Sequence, residues 1–283
     1  MDLTLNNLIS DVSKLVSLPE ICLKVTTMVE DPDASIDDIG KVISQDPSLT
    51  VKILKMSNSA MYGFASEVDT VPRAITLLGT RHIRDLVLAT SAFDTFKGIS
   101  NSLMTMEDFW YHSILCGLAA NQLTKLCGLR NGDGLFVGGL LHDIGQLILF
   151  NRLPEQSQQA ILLTMEGQEE YEMHEAENKV IGFNHMQVGQ ILAENWNLPP
   201  YLQYCIGYHH KPELSPDFKQ EVSIIHIANT IAVLAELNSA DIELGPGVDD
   251  YAWQQTGLDA SIFPRVIEEI NAEYAEIEAL LNM

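Results

Sequence analysis

The sequence Gly-Gly-Leu-Leu-His-Asp-Ile-Gly, residues Gly138 to Gly145, decides how the rest of the chain is interpreted. A histidine and an aspartate stand side by side in an otherwise apolar segment, with glycines before and after them. Burying two ionisable groups is costly unless each is paired. A divalent cation would satisfy both, because imidazole and carboxylate are good ligands for transition metals. The question for the rest of the sequence is therefore whether it supplies the other ligands.

Length and composition indicate a well-packed intracellular protein. The 283 residues are 46% hydrophobic, enough for one large domain or two modest ones. No apolar run is long enough to span a membrane, and the first residues lack the basic start of a signal peptide. The four cysteines form no Cys-X-X-Cys pair. They indicate free thiols in a reducing compartment, so we expect a cytoplasmic protein.

The formal net charge of -23 restricts the partners that the chain can bind. Nucleic-acid binding needs concentrated lysine and arginine, so we expect no nucleic-acid partner. An anionic membrane surface is disfavoured for the same reason. An anionic nucleotide would need local positive charge, which a bound metal ion would supply. The simpler interpretation is that the negative charge keeps the protein soluble.

Apolar residues recur with helical spacing through nearly the whole chain, and no segment shows the alternation of a strand. The sequence therefore predicts an all-α protein, a multi-helix bundle with an N-terminal helical subdomain. The polar stretch Gly98–Ser102 is the best candidate linker. We expect an N-terminal subdomain in residues 1–98, the main helical domain in residues 104–240, and a C-terminal extension, residues 241–283, that packs on the bundle.

Helix starts and stops follow from proline, glycine and capping residues. Ser35 followed by Asp38 is typical of a capping box, and Pro47 stands at a helix-entry position. The segment that begins at Gly138 is predicted to continue as a helix to about Phe150.

Five of the eight histidines fall at core-facing positions of different predicted helices, or at their edges. Helix bundles build metal sites in this way, from inward side chains on facing helices. Asn229 lies in register with the apolar face of its helix. Asp108 stands one helical turn before the first of the histidines. These histidines are His112, His142, His185, His209 and His210.

Each histidine alone has a simpler interpretation as a hydrogen-bonded structural residue. A His-Asp dipeptide alone is equally unspecific, whereas the order His…His-Asp…His…His-His is much more specific. For two acidic residues the sequence allows two positions. Asp108 and Glu177, which lies upstream of His185, either reach such a site or face water.

This order of residues resembles the HD superfamily of metal-dependent phosphohydrolases, and more closely its HDOD family, the HD-related output domain of bacterial signalling proteins. The resemblance covers most of the chain. It rests on short motifs in both parts, which are Leu18-Pro19, Asp31–Ala34, Asp46–Leu49, Asn58–Ala60, Leu78-Gly79, Phe109-Trp110, His112-Ser113, Gly139–Gly145 and Leu198-Pro199.

The resemblance implies a core ligand set with one substitution. HD phosphohydrolases use a first histidine, the His-Asp doublet and a final aspartate. Here these would be His112, His142, Asp143 and, in place of the last aspartate, Asn229. An amide oxygen is a weaker and neutral ligand, so the site would lose one negative charge. We therefore expect nitrogen-rich ligation that suits Fe, Mn, Ni or Zn.

The resemblance also implies further ligands. HD-GYP phosphodiesterases hold a second or third metal with additional histidines, which His185, His209 and His210 match in order. Asp108 falls where those enzymes can place an acidic ligand. We therefore expect one or two divalent ions. The GYP segment itself is missing, because Lys211–Glu213 follows the last histidine.

Three functions remain open. The first is a cytoplasmic bacterial regulator that acts in signal transduction by binding signalling proteins and retains a divalent metal site. The alternative is an active metal-dependent phosphohydrolase on nucleotides or other phosphorylated small molecules, with Asp143 taking part in catalysis. Because that chemistry needs a metal to acidify a bound water and orient phosphate, Asn229 weakens the case for it more than for metal binding. In the third, the metal serves only structure or sensing.

Two smaller features carry expectations of their own. Arg81, His82 and Arg84 form a basic cluster that could hold a phosphate or a partner's carboxylates. We expect it instead to be a solvated helix face, and we expect the same of Lys52 and Lys55. The pair Gly138-Gly139 is expected to permit close helix packing beside the His-Asp doublet.

Overall fold

A computed structural model describes residues 5, 8, 17–96, 103–129, 134–165 and 172–281. These residues form helices and contain no strand, so the all-α prediction is confirmed. The predicted linker Gly98–Ser102 lies outside the described residues. None of the described helices is long and apolar enough to cross a membrane.

Among the described residues, fifteen α-helices have both ends defined. In order they are α1 Glu20–Glu30, α2 Ile36–Ile43, α3 Pro47–Ser57, α4 Val71–Leu78, α5 Thr80–Phe96, α6 Met106–Cys127, α7 Leu135–Leu141, α8 Ile144–Arg152, α9 Pro154–Met165, α10 Met173–Ile181, α11 His185–Asn195, α12 Pro200–Tyr208, α13 Lys219–Glu236, α14 Asp250–Thr256 and α15 Phe263–Leu281. Three short 3-10 helices lie at Pro212–Leu214, Ile242–Leu244 and Ala260–Ile262.

Local capping explains where several helices begin. Ser35 accepts a hydrogen bond from the backbone N–H of Asp38, as the capping box predicts. Asp46 accepts from the N–H of Leu49 while Pro47 occupies the first helical position of α3. Each cap satisfies an N–H group that has no partner inside the helix.

The chain divides into two compact units. Within the described residues, one unit comprises residues 5, 8 and 103–268, and the other comprises residues 17–96 together with residues 269–281. The predicted three-part division, with boundaries near residues 98–104 and 240, stays a prediction.

The unit built from residues 17–96 corrects the expectation of a solvated basic face in part, because Arg81 and Lys55 are exposed as expected whereas His82, Arg84 and Lys52 are buried. Arg84 is 4% exposed, and its guanidinium binds the carboxylates of Glu30 at 2.8 Å and Asp85 at 2.9 Å. Lys52 is 3% exposed and pairs with Asp94 at 2.7 Å. Buried cations persist when they are paired in this way. For Arg84 and Lys52 the expectation was wrong because their partners Glu30 and Asp94 lie far away in sequence.

In the unit of residues 103–268, helix α6 packs against α7 and α13, and α11 packs against α8 and α12. A Cβ added at Gly139 would lie 2.6 Å from the backbone nitrogen of Gly117, so α6 and α7 touch backbone to backbone there. At Gly138 the nearest atom would be the flexible end of Ile225 at 3.2 Å. The expected close packing is therefore confirmed, and Gly139 is the residue that requires it.

The predicted continuous helix through the His-Asp doublet is wrong. The structure ends α7 at Leu141, turns at His142 and Asp143, and starts α8 at Ile144. The turn takes the doublet out of both helices. Apolar residues on each side hid this break from the sequence pattern.

Candidate metal centre

Two histidines that follow helices are each oriented by a hydrogen bond to a backbone carbonyl three residues earlier. His142 follows α7 and donates from Nδ1 to the carbonyl oxygen of Gly139, three residues back, at 2.7 Å. His209 follows α12 and donates from Nδ1 to the carbonyl of Ile206, again three residues back, at 3.0 Å. The last carbonyls of a helix lack intrahelical partners, which makes them available to such side chains. Each ring therefore turns its Nε2 atom away from its own helix.

His185 begins α11, where Asn184 caps the helix by accepting from the N–H of Gln187. Its Nδ1 atom lies 2.6 Å from Oε2 of Glu177 on α10. The same oxygen accepts the backbone N–H of His185 at 2.8 Å. Both side chains are fully buried. Glu177 therefore belongs to the site as an orienting group, which answers a question that the sequence left open.

His112 on α6 is oriented by a carboxylate as well. Its Nδ1 atom lies 2.9 Å from Oε1 of Glu236, at the end of α13. Because a carboxylate only accepts hydrogen bonds, Nδ1 carries the proton and Nε2 is left to face the centre. The sequence did not single out Glu236, whose role depends on the packing of α6 against α13.

The carboxylate of Asp143 lies between four imidazole rings. Its Oδ2 atom is 3.0 Å from Nε2 of His142 and 3.8 Å from Nε2 of His112. Its Oδ1 atom is 3.3 Å from Nε2 of His185 and 3.4 Å from Nε2 of His209. We call these five residues the Asp143 centre. The structure thus brings together residues from five separate helix ends or faces.

Several atoms of the Asp143 centre lack hydrogen-bond partners. Nε2 of His142 and Oδ1 of Asp143 are buried without one. The Nε2 atoms of His185 and His209 lie 3.3 Å apart. Two rings that both donate from Nδ1 would aim lone pairs at each other here, which is unfavourable unless a proton or a cation lies between them. The donor set therefore fits a metal ion.

Burial and charge shift the pKa values of His142 and Asp143 in opposite directions. Burial lowers the pKa of His142 and raises that of Asp143, but their mutual attraction outweighs it. The pKa of His142 therefore lies well above its usual range and that of Asp143 well below. His209 behaves differently, because burial lowers its pKa to about 4 and it stays neutral. Without a metal the doublet is a buried ion pair beside a neutral imidazole.

The remaining predicted residues lie near the centre in different ways. His210 groups with Asp143, His185 and His209, with ligand atoms within 4.8 Å of one another. Asn229 is 7% exposed and lines the same cavity as His112 and Asp143.

Asp108 lines that cavity too, but it is exposed and bonds Thr105 at the start of α6. It is a helix-capping residue, and the structure does not bring it into either histidine group around Asp143.

The cavity beside the Asp143 centre has a volume of about 560 Å³. Among the described residues that line it are the acids Asp108, Glu172 and Glu236, and neither lysine nor arginine. The cavity could hold a small molecule, but its own side chains would repel an anion. A metal ion is the only source of positive charge that these lining residues imply.

Sequence reasoning also missed His226. It donates from Nδ1 to the carbonyl oxygen of His209 at 2.7 Å and accepts at Nε2 from the N–H of Asp249 at 3.0 Å. Both ring nitrogens are therefore used by the protein. This is the structural role that any single histidine was expected to have, and it separates His226 from the histidines that face Asp143.

Comparison with known proteins places the chain among HDOD proteins. A family model for the HDOD domain matches residues 15–212. An uncharacterized protein of Treponema pallidum (strain Nichols) is 26% identical over 222 residues, which is 77% of this chain and 42% of that protein. The chain therefore spans less than half the length of that relative.

Two crystal structures are similar over nearly the whole chain. A candidate phosphohydrolase from Shewanella amazonensis SB2B is 21% identical with a TM-score of 0.75, and 97% of each chain is covered. A candidate signal transduction protein from Marinobacter aquaeolei VT8 is 22% identical with a TM-score of 0.71, over 96% of this chain and 60% of that chain. At these identities the similarity shows the fold.

Proposed function

Since the chain belongs to the HDOD domain family, we propose that it is a bacterial, cytoplasmic signal-transduction regulator that binds a divalent transition metal at the Asp143 centre. It would act by binding signalling proteins. The similar structures include one named for signal transduction and one named as a phosphohydrolase, so the family alone does not choose between regulation and catalysis.

One observation carries the metal-binding part of this proposal. Four imidazoles donate from Nδ1 to a carboxylate or carbonyl and turn Nε2 toward one aspartate. Metal-binding histidines almost always use their second nitrogen in this way, because the hydrogen bond fixes the tautomer and the ring orientation. A structural histidine uses both nitrogens, as His226 does.

The two oxygens of Asp143 suggest how many ions the centre would hold. Oδ2 faces His112 and His142, while Oδ1 faces His185 and His209. The centre could therefore hold two ions, one beside each oxygen of Asp143 and each with at least two imidazoles. Nitrogen-rich sites of this kind suit Fe, Mn, Ni or Zn.

A working phosphohydrolase is the second candidate, and the cavity favours it. The cavity reaches His112 and Asp143 and has room for a phosphorylated small molecule or nucleotide. Its acidic lining leaves the metal as the only attraction for phosphate. Asn229 stands where a further carboxylate would help to hold that metal, so regulation remains the preferred function.

Metal analysis combined with activity assays tests the proposal. The purified protein is loaded with Mn, Fe, Ni or Zn, its metal content is measured, and phosphatase, phosphodiesterase and cyclic-dinucleotide substrates are assayed. Bound metal without turnover supports the regulator. Turnover that disappears in Asp143→Asn would instead establish the phosphohydrolase.

A matched pair of variants locates the metal. His142→Gln should lower metal content, whereas His82→Gln, which replaces a similarly buried histidine of the other unit, should not. Equal metal content in both variants, or no metal in the wild type at any loading, would overturn the proposal.

A further inference from the structure

A separate group of possible ligands lies beside the Asp143 centre. Glu172, His174 and His210 each offer a ligand atom, and these atoms lie within 4.8 Å of one another. Oε2 of Glu172 is 3.3 Å from Nδ1 of His174 and 3.8 Å from Nδ1 of His210. The two imidazole rings stack, with centroids 4.7 Å apart and planes inclined by 16°. We call these three residues the Glu172 cluster.

His174 is the unusual member of this cluster. It is 3% exposed, yet neither of its ring nitrogens has a hydrogen-bond partner. The close approach of Nδ1 to Glu172 does not have hydrogen-bond geometry. Leaving buried polar atoms without partners is unfavourable. His174 therefore needs a partner beyond the protein groups around it.

The cluster brings two imidazoles and a carboxylate together without a hydrogen bond between His174 and Glu172. Imidazole nitrogens and carboxylate oxygens are good ligands for transition metals. A divalent cation would therefore give His174 its missing partner and would also bind the carboxylate.

Helix capping does not explain the cluster. Glu172 precedes α10 and its N–H donates to Glu175 at 3.4 Å, as in a capping box. That interaction accounts for the position of Glu172 but not for the two stacked rings. Lys211, the nearby cation, lies 4.0 Å from Glu175.

We propose that Glu172, His174 and His210 form a further binding site for a divalent transition metal ion. Two imidazoles and one carboxylate are a common ligand set for Zn or Fe, with remaining positions open to water. The site goes beyond the proposed centre because Glu172 and His174 belong to neither group of ligands around Asp143.

The position of this site gives it a consequence for ligand binding. Glu172 and His210 line the same cavity as His112 and Asp143. An ion held there would place positive charge on the wall of an otherwise acidic cavity. A phosphorylated ligand could then be attracted from two sides.

Zn binding to single variants tests the site. The number and affinity of bound Zn ions are measured by equilibrium dialysis and by calorimetry. Glu172→Gln and His174→Gln should each lose one ion, or bind it at least tenfold more weakly. Glu172 has a side chain that is 46% exposed, so its variant should fold even if that of His174 does not.

Glu175→Gln is the matched control. It removes the same charge from the neighbouring acid, which is similarly exposed and pairs with Lys211. Because Glu175 also caps the helix that Glu172 precedes, Glu213→Gln is a second control, at an exposed acid of the 3-10 helix Pro212–Leu214. Glu213→Gln should bind as many ions as the wild type. If Glu172→Gln and His174→Gln both bind like Glu213→Gln, the site does not exist.

A variant of the main centre separates the two proposals. His142→Gln should lose metal from the Asp143 centre but keep the ion that depends on Glu172. Loss confined to the Glu172 and His174 variants would support the further site even if the Asp143 centre failed. Loss confined to His142→Gln would support the centre and overturn the further site.

Discussion

A single oxygen atom of Glu177 accepts both the Nδ1–H and the backbone N–H of His185, at 2.6 and 2.8 Å. The two bonds fix the ring relative to its own backbone at the first residue of α11. Burial lowers the pKa of His185, but the negative charges of Glu177 and Asp143 together outweigh this effect and raise it. Glu177 therefore increases the basicity of the His185 ring and sets the direction of its Nε2 atom.

Glu177→Gln should weaken metal binding by about 10–100-fold, the usual effect of losing such an orienting partner. An amide oxygen still accepts a hydrogen bond, but it carries no charge and cannot increase the basicity of the ring. Calorimetric titration with Zn measures the change. Glu194→Gln, an exposed acid on the same helix α11, is the control and should bind as the wild type. Equal affinities for the two variants would show that Glu177 has only a structural role.

Asn229→Asp should tighten metal binding. The residue is 7% exposed and lines the cavity with His112 and Asp143, so a new carboxylate there would add charge beside the centre. Without metal the same carboxylate would lie near Asp143 and Glu236, and their repulsion should lower the melting temperature. Titration and thermal unfolding with and without Zn measure both effects. Unchanged affinity would mean that position 229 does not supply a ligand.

The inward direction of the histidines around Asp143 was predictable because it follows from local spacing. His185 is in register with the buried Val188 and Leu192 of α11, and Asn229 with the buried Ile225 and Ala232 of α13. Helical periodicity fixes such faces without knowledge of the fold.

The orienting carboxylates were not predictable in the same way. Glu177 lies on α10, which is largely polar, and its complete burial is a result of tertiary packing. Glu236 reaches His112 across 124 positions of sequence. The sequence pattern showed which residues could bind a metal, whereas the groups that orient them depend on contacts between helices.

Metal affinity should rise with pH through the neutral range. The pKa of His142 is raised well above its usual range, so the metal-free protein holds a proton there that an incoming ion must displace. His209, with a pKa of about 4, has already lost its proton. Calorimetry in buffers of different ionisation enthalpy should therefore show about one proton released per ion bound near His142 at neutral pH.

The stability of the metal-free protein should show the opposite trend. A group whose pKa is raised by folding stabilises the fold fully below its unfolded pKa, near 6.5, and this contribution disappears as the pH rises through the folded value. The shift of melting temperature caused by saturating Zn should consequently grow from pH 6 to pH 8.5. His142→Gln should show a smaller pH dependence. A Zn-induced shift that falls with pH would contradict a protonated His142.

Gly139→Ala should destabilise the protein and impair the Asp143 centre, whereas Gly138→Ala should do neither. A methyl group at Gly139 would lie 2.6 Å from the backbone of Gly117, while one at Gly138 would meet only the movable end of Ile225 at 3.2 Å. Both substitutions gain the same helix propensity, about 1 kcal/mol, so their difference isolates the steric effect. We expect the free energies of unfolding of the two variants to differ by about 1–3 kcal/mol, the usual cost of overpacking.

Gly139→Ala should also bind metal more weakly than Gly138→Ala, because the carbonyl oxygen of Gly139 accepts the hydrogen bond from Nδ1 of His142. Separating α6 from α7 moves that carbonyl, and with it the ring whose Nε2 faces Asp143. Urea unfolding and Zn titration of the two variants measure both effects. If Gly139→Ala lost stability but bound Zn as Gly138→Ala does, the close helix contact would support the fold without positioning His142. If the two variants were equally stable, α6 and α7 would have room to separate without cost.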